Sequence, residues 1–418
     1  VRTEQLDAGL FRSTASNGLV VLSETLPGVR SAAVGLWVRT ASAHEPAGQM
    51  GISHLLEHMV FKGTERRSAR ELALALEEHG GSLDAFTGRD STSFQAHVLD
   101  RDLPLAVDVL TDLVRRPLLR QADLDLERNV ILEEISGVDD TPDDLVFELH
   151  ARALWPAHPY GYSILGTRET VGALSAADLR RLHDDAYFPA NCVIAAAGNL
   201  EHEVLLASLE REGWFAGEAR PARQAVSAEP AQRGILSNAE RDTTQSHIVL
   251  GTDTFSIGDP RRFAMSILVS ALGGGMSSRL FQRVREELGL AYAVYAYNQF
   301  HQGTGQLGIY VGTKPESAEA ALHTIQQELR RMAQSGLDEG ELAVGKRQLQ
   351  GQLMLALESP GARMSRLANF TLHREPYRTL DTIIQEIEAV PAAQVAAVAA
   401  EFLDPARQTV QMLGPEKQ

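Results

Sequence analysis

The sequence predicts an α+β protein made of two copies of one α/β sandwich domain, each a mostly antiparallel sheet packed on helices. Three observations point there. Short apolar runs with strand character alternate with longer stretches of helical periodicity along all 418 residues. Between Trp214 and Arg233 this pattern is interrupted by a segment short of large apolar residues. The order of elements after that segment then repeats the order before it. A chain of this length also exceeds what one core accommodates.

In the first half, residues 10–40 read as strands, with Leu19-Val20-Val21-Leu22 after the turn Ser16-Asn17-Gly18 and a second apolar run at 32–38. Apolar residues at 52, 55, 56, 59 and 60 give a helical stripe that Ser53 or the Gly51 region starts. A helix over 69–79 stops at Gly80-Gly81. Residues 82–87 and 91–99 form a hairpin turning near Gly88-Arg89-Asp90, and helices follow at 102–115, 121–138, 143–153 and 176–186. Strand 192–198 and helix 201–212 close the half.

In the second half, strand 247–251 precedes helix 260–272, hairpin 292–297 with 306–311, and helices 315–335, 338–357 and 361–373. Ala186-Tyr187-Phe188-Pro189 before strand 192–198 matches Ala400-Glu401-Phe402-Leu403-Asp404-Pro405 before strand 408–413. The offset is 402 − 188 = 214 there and 342 − 124 = 218 between Leu342 and Leu124. The expected domains are therefore 1–215, a linker 216–233, and 234–418.

A net charge of −16 argues against nucleic-acid binding and is compatible with basic ligands, or simply with solubility. The single cysteine, Cys192, lies in an apolar run and reads as a small buried hydrophobe. No stretch reaches the roughly 18 apolar residues of a membrane span, and Val1-Arg2-Thr3-Glu4 opens no apolar signal region. The expected location is cytoplasmic; the missing initiating Met is also compatible with a removed leader.

The chemistry concentrates in His54-Leu55-Leu56-Glu57-His58. Two histidines four apart lie on one helix face and can reach one metal ion, and Glu57 beside them can reach a water on that metal. A third ligand is best sought on the acidic helix 123–135. There Glu127 and Glu134, seven apart, share a face, while Glu133 points about 100° away from Glu134.

His54-x-x-Glu57-His58, followed 134 − 58 = 76 residues later by Glu134 in Glu127-Arg128-Asn129-Val130-Ile131-Leu132-Glu133-Glu134, resembles the pitrilysin or insulinase family of zinc peptidases, in particular its mitochondrial processing peptidase type and bacterial counterparts. The resemblance covers essentially the whole chain. It implies Zn2+ held by His54, His58 and Glu134, one ion per chain, with Glu57 catalytic and Glu127 supporting the site behind the ligands. In the second half Leu272-Gly273-Gly274-Gly275-Met276-Ser277-Ser278-Arg279-Leu280-Phe281, then Arg285 through Tyr292, resembles the family's second-domain signature, with Arg285 and Tyr292 completing the active site. No Gly-Lys-Ser/Thr follows the glycines, so phosphate binding is excluded.

The implied function is zinc endopeptidase, acting on extended, unstructured peptides inside a clam-shell chamber. The segment Asp84, Ala85, Phe86 and Thr87 would pair with substrate main chain; Asp84 departs from the Asn common there. Asp144 and Glu148, at positions that read a basic residue in the processing peptidase, imply a mild preference for Arg or Lys. The family's chamber needs four such domains, which implies a homodimer with Arg285 and Tyr292 acting in trans on the partner's zinc. The alternative is a non-catalytic scaffold or partner subunit of the same fold, against which the intact His54, Glu57, His58 and Glu134 argue. Manganese or cobalt could replace zinc in such a donor set.

Overall fold

Two sheets carry the architecture of the computed structural model, which describes residues 1–415. The first has seven strands: β1 (Arg2–Asp7), β2 (Leu10–Thr14), β3 (Val20–Thr25), β4 (Ser31–Val38), β5 (Ser82–Thr87), β6 (Thr92–Leu99) and β7 (Cys192–Gly198), ordered β1-β2-β3-β7-β4-β6-β5. The second has five: β8 (Leu236–Glu240), β9 (Ser246–Thr254), β10 (Ala291–Phe300), β11 (Gly305–Thr313) and β12 (Thr409–Gly414), ordered β10-β11-β9-β12-β8. Each sheet has one parallel pair, β3 with β7 and β8 with β12, and every other pairing is antiparallel.

The duplication is visible in this topology. The run β3-β7-β4-β6-β5 of the first sheet and the run β8-β12-β9-β11-β10 of the second have the same order and the same single parallel pair. The β1–β2 hairpin is an addition to the first copy. Strands β1 and β8 escaped the sequence reading because β1 is almost wholly exposed and the half-buried face of β8 carries only the small Ser237 and Ala239, so no apolar alternation marks them.

The compact units are not the contiguous halves 1–215 and 234–418. One unit comprises Val1–Ile135, Ser163–Ala225 and Ala356–Tyr377; the other comprises Ser136–Tyr162, Val226–Leu355 and Arg378–Gln418, of which 416–418 lie outside the described residues. The expected linker 216–233 contains no helix or strand, and the chain passes between units within it, at 225/226. What the contiguous division misses is an exchange of equivalent helices. Helix Pro360–Leu372 buries Met364, Leu367, Ala368 and Leu372 against Leu22, Ala33, Trp37, Val193, Ala195 and Ala197 of the first sheet. Arg39 donates to the carbonyls of Leu372 (2.7 Å) and Thr371 (3.0 Å) at that helix's C-terminus, where carbonyls lack intrahelical donors. Helix Pro142–Leu154 instead buries Leu145 and Val146 against Val249, Tyr310 and Leu413 in the second unit.

That second-unit helix brings a fully buried imidazole with it. His150 donates from Nε2 to the Thr409 carbonyl (3.1 Å), and Gln306 Nε2 donates to its Nδ1 (3.3 Å), so both ring nitrogens are used by the neutral form. Burial pulls His150 down to about 4. Its folded pKa thus lies below the unfolded value of about 6.5, so stability is complete above that value and is lost as pH falls from there toward 4, by about 3 kcal/mol at the acid end. We expect His150→Gln to flatten the acid limb of a stability–pH curve in this window; an unchanged limb would contradict the assignment.

Candidate metal centre

Helix Ile52–Val60 presents its site through its packing. Ile52, Leu55, Leu56, Met59 and Val60 are buried in the first unit's main core. The opposite face therefore carries His54, Glu57 and His58. Helix Gln121–Asp139 is anchored alongside by Leu124 and Ile131, and the same inward face brings Glu127 and Glu134 to the histidines.

His54 Nε2 lies 3.8 Å from Glu134 Oε2, and His58 Nε2 lies 3.7 Å from Glu134 Oε1. One ligand atom from each of the three residues falls within 4.8 Å of the others, the one such group among the described residues. A two-nitrogen, one-carboxylate donor set suits zinc and leaves a coordination position for reaction. Glu134 Oε2 is buried with no hydrogen-bond partner although the side chain is 39 % exposed; a cation shared with the imidazoles satisfies that oxygen. Burial first, and then neighbouring His58, hold His54 down at about 4, so it is neutral, as a ligand must be. The residues present fit the ion.

Glu127 stands behind the ligands. His58 Nδ1 lies 2.8 Å from Glu127 Oε1, which fixes the Nδ1–H tautomer and frees Nε2 for metal. Lys62 Nζ reaches the other oxygen, Oε2, at 2.5 Å. Sequence reading missed Lys62. The available signal was its position four residues after His58, on the face just past the helix end.

Glu57 is tied to the sheet edge. Thr87 Oγ1 donates to Glu57 Oε2 at 2.5 Å. Burial raises the Glu57 carboxyl above its ordinary value, opposed by the Thr87 hydrogen bond and by His58. Thr87 itself ends β5 and is buried, so its side chain serves Glu57. Of the other segment residues, Asp84 is exposed, Phe86 is 66 % exposed and Ala85 is half-buried. Strand β5 pairs only with β6, so its other backbone edge is free of strand partners among the described residues.

The remaining predicted residues stand in the second unit. Arg285 belongs to a π-helical turn, Phe281–Glu287, and its guanidinium lies 5.0 Å from the ring centre of Tyr292 and 4.7 Å from that of Phe281. Tyr292 is 78 % exposed. Asp144 and Glu148 lie on the exchanged helix Pro142–Leu154, and so in the second unit instead of the expected first domain. Asp144 is exposed, and Asp143 and Asp144 add to burial in raising Tyr295 and Tyr310.

Two imidazoles and a carboxylate in this arrangement can hold a metal ion, and comparison with known proteins places the chain in a zinc peptidase family. Residues 20–168 match the model of the Insulinase (Peptidase family M16) domain, and residues 173–349 match that of the Peptidase M16 inactive domain. The chain belongs to the M16 (insulinase) peptidase family. It is 39 % identical over 415 residues to an uncharacterized zinc protease of Streptomyces coelicolor, covering 97 % of this chain and 90 % of that one. It is 38 % identical over 391 residues to one of Bacillus subtilis, covering 94 % and 95 %. Among solved structures, a protease from Helicobacter pylori superposes with a TM-score of 0.91 at 20 % identity, covering 97 % of this chain and 99 % of that chain, which speaks for the fold.

Proposed function

We propose that this chain is a zinc-dependent endopeptidase that cleaves extended, unstructured peptides, with Glu57 as its general base. The observation that carries the reading is the conjunction of three donors from two helices within 4.8 Å of each other with Glu57, on the histidine helix, joined through Thr87 to a sheet edge that has no strand partner among the described residues. Zinc, when bound, supplies Lewis acidity to the scissile carbonyl and to the attacking water.

The chain's own residues do the rest. The free edge of β5 pairs with substrate main chain and so selects extended peptides with little sequence demand. Thr87 holds one oxygen of Glu57, leaving the other to take the water's proton as its oxygen adds to the carbonyl carbon. Glu57 then delivers that proton to the amine nitrogen as the C–N bond breaks. Glu127, itself held by Lys62, keeps His58 in the ligating tautomer. Arg285 and Tyr292 donate to the developing oxyanion. Asp144 and Glu148 favour Arg or Lys near the cleaved bond.

A digest of a defined peptide mixture tests the substrate class. Unstructured peptides should be cut with enrichment for basic residues near the bond, and folded proteins should be spared. Absence of enrichment would remove the acidic-pocket part, and cleavage of folded proteins would contradict edge pairing.

The same proposal includes a homodimer in which Arg285 and Tyr292 serve the zinc of the partner chain. Mixing His58→Ala chains with Tyr292→Phe chains should restore activity that neither has alone. No recovery after exchange of subunits would count against sharing in trans.

A further inference from the structure

Helix Ile52–Val60 receives no capping side chain from its own first residues; Gly51 occupies the N-cap at φ 90°. The capping group comes from further back in the chain. Glu45 accepts from Gly51 N–H through Oε2 and from Ser53 N–H through Oε1, each at 2.8 Å. The first N–H groups of a helix have no intrahelical acceptor and form the positive end of its dipole. Glu45 is only 4 % exposed, so these donors are satisfied inside the protein and not by solvent. Burial pushes the carboxyl up to about 7 against the pull of the two N–H groups.

Two features show why the position of this turn depends on the carboxylate. The backbone beneath it is tight: a Cβ on Gly51 would meet the Leu165 carbonyl oxygen at 2.5 Å, and one on Gly166 would meet that of Met50 at 2.4 Å. On another side there is space, a cavity of about 200 Å³ lined by Glu45, Ile52 and Ser53 among others. The close backbone blocks movement on one side only, so on the cavity side it is Glu45 that holds the first turn, and Ser53, held by Glu45, directly precedes His54.

We propose that Glu45 is a positioning residue of the metal site, a two-pronged clamp that sets the rotation and axial position of the helix bearing His54, Glu57 and His58. A shift of the first turn moves His54 relative to Glu134, which is carried by a different helix, and so spoils the shared coordination. The consequence for turnover rests on the peptidase reading; the consequence for metal affinity does not need it.

The test measures zinc affinity by chelator competition, melting of the metal-free protein, and kcat. The variants are Glu45→Gln, which keeps the shape and one acceptor, Glu45→Ala, and Ser68→Ala as a control. Ser68 caps helix Ala69–Glu77, which carries none of the site residues. We expect Glu45→Ala to weaken zinc binding by about 10–100-fold and Glu45→Gln by less. Ser68→Ala should lower the melting temperature and leave zinc affinity unchanged. Folded Glu45 variants that bind zinc like the wild type would overturn the proposal, as would equal zinc weakening by Ser68→Ala at the same loss of stability. If Glu45→Ala does not fold, Glu45→Gln decides alone. Wild-type protein that binds zinc tightly but cleaves no peptide would instead defeat the peptidase reading and leave the clamp standing.

Discussion

Replacing Glu57 by Gln should leave one zinc bound per chain while lowering peptide turnover by about 10²–10⁴-fold, the usual share of a general base. The change is nearly isosteric, so the amide oxygen still accepts from Thr87 Oγ1. None of the three donors is touched, because His54, His58 and Glu134 present their atoms to one another without Glu57. What disappears is the one carboxylate there that is held by a side chain from the sheet edge and made more basic by burial. A Glu57→Gln protein that cleaves at the wild-type rate would remove Glu57 from the mechanism. One that loses zinc would mean the carboxylate is needed to build the site and not only to use it.

The second large effect concerns the fold. A chain ending at residue 225 contains His54, Glu57, His58, Glu127 and Glu134, yet it should not fold to a stable unit. It lacks helix Pro360–Leu372, which covers one face of the first sheet. Burying Met364, Leu367 and Leu372 contributes roughly 1.5–3 kcal/mol each. Their loss is therefore comparable with the whole stability of an ordinary domain, about 5–15 kcal/mol. The truncation also exposes Leu22, Trp37 and Val193 and strips Arg39 of its acceptors. Joining residues 356–377 to the end of 1–225 by a flexible linker should restore a cooperative thermal transition. A fragment 1–225 that melts as the intact chain does would show that the exchanged helix is dispensable.

The exchange also marks the limit of what the sequence discloses. The metal helix was legible because its two periodicities coincide: apolar residues every third or fourth position, and the histidines in the gap between them. Helical spacing put Glu127 and Glu134 on one face but did not single out a ligand; the choice of Glu134 came from the family resemblance, and the structure brings it to His54 and His58. The β5–β6 hairpin and the duplicated order of elements also read correctly from local patterns. Periodicity shows that Pro142–Leu154 and Pro360–Leu372 each have an apolar side, but it does not say which sheet that side meets. The domain division went astray there for that reason, and the placement of Asp144 and Glu148 with it. Lys62 and Glu45 were missed for a related reason. A single charged residue reads as solvated surface until its partner, distant in sequence or hidden in the backbone, is known. The π-helical turn that carries Arg285 has too short a signature to be separated from an ordinary helix.

Whether the three donors hold a catalytic zinc is decided by the zinc content per chain of purified wild type, Glu57→Gln and His58→Ala, measured beside peptide hydrolysis by the same samples. Wild type should hold one zinc and be active, Glu57→Gln should hold one zinc and have almost no activity, and His58→Ala should have neither. Zinc retained at full stoichiometry by His58→Ala, or hydrolysis by a wild type that holds no metal, would contradict a catalytic zinc on these donors.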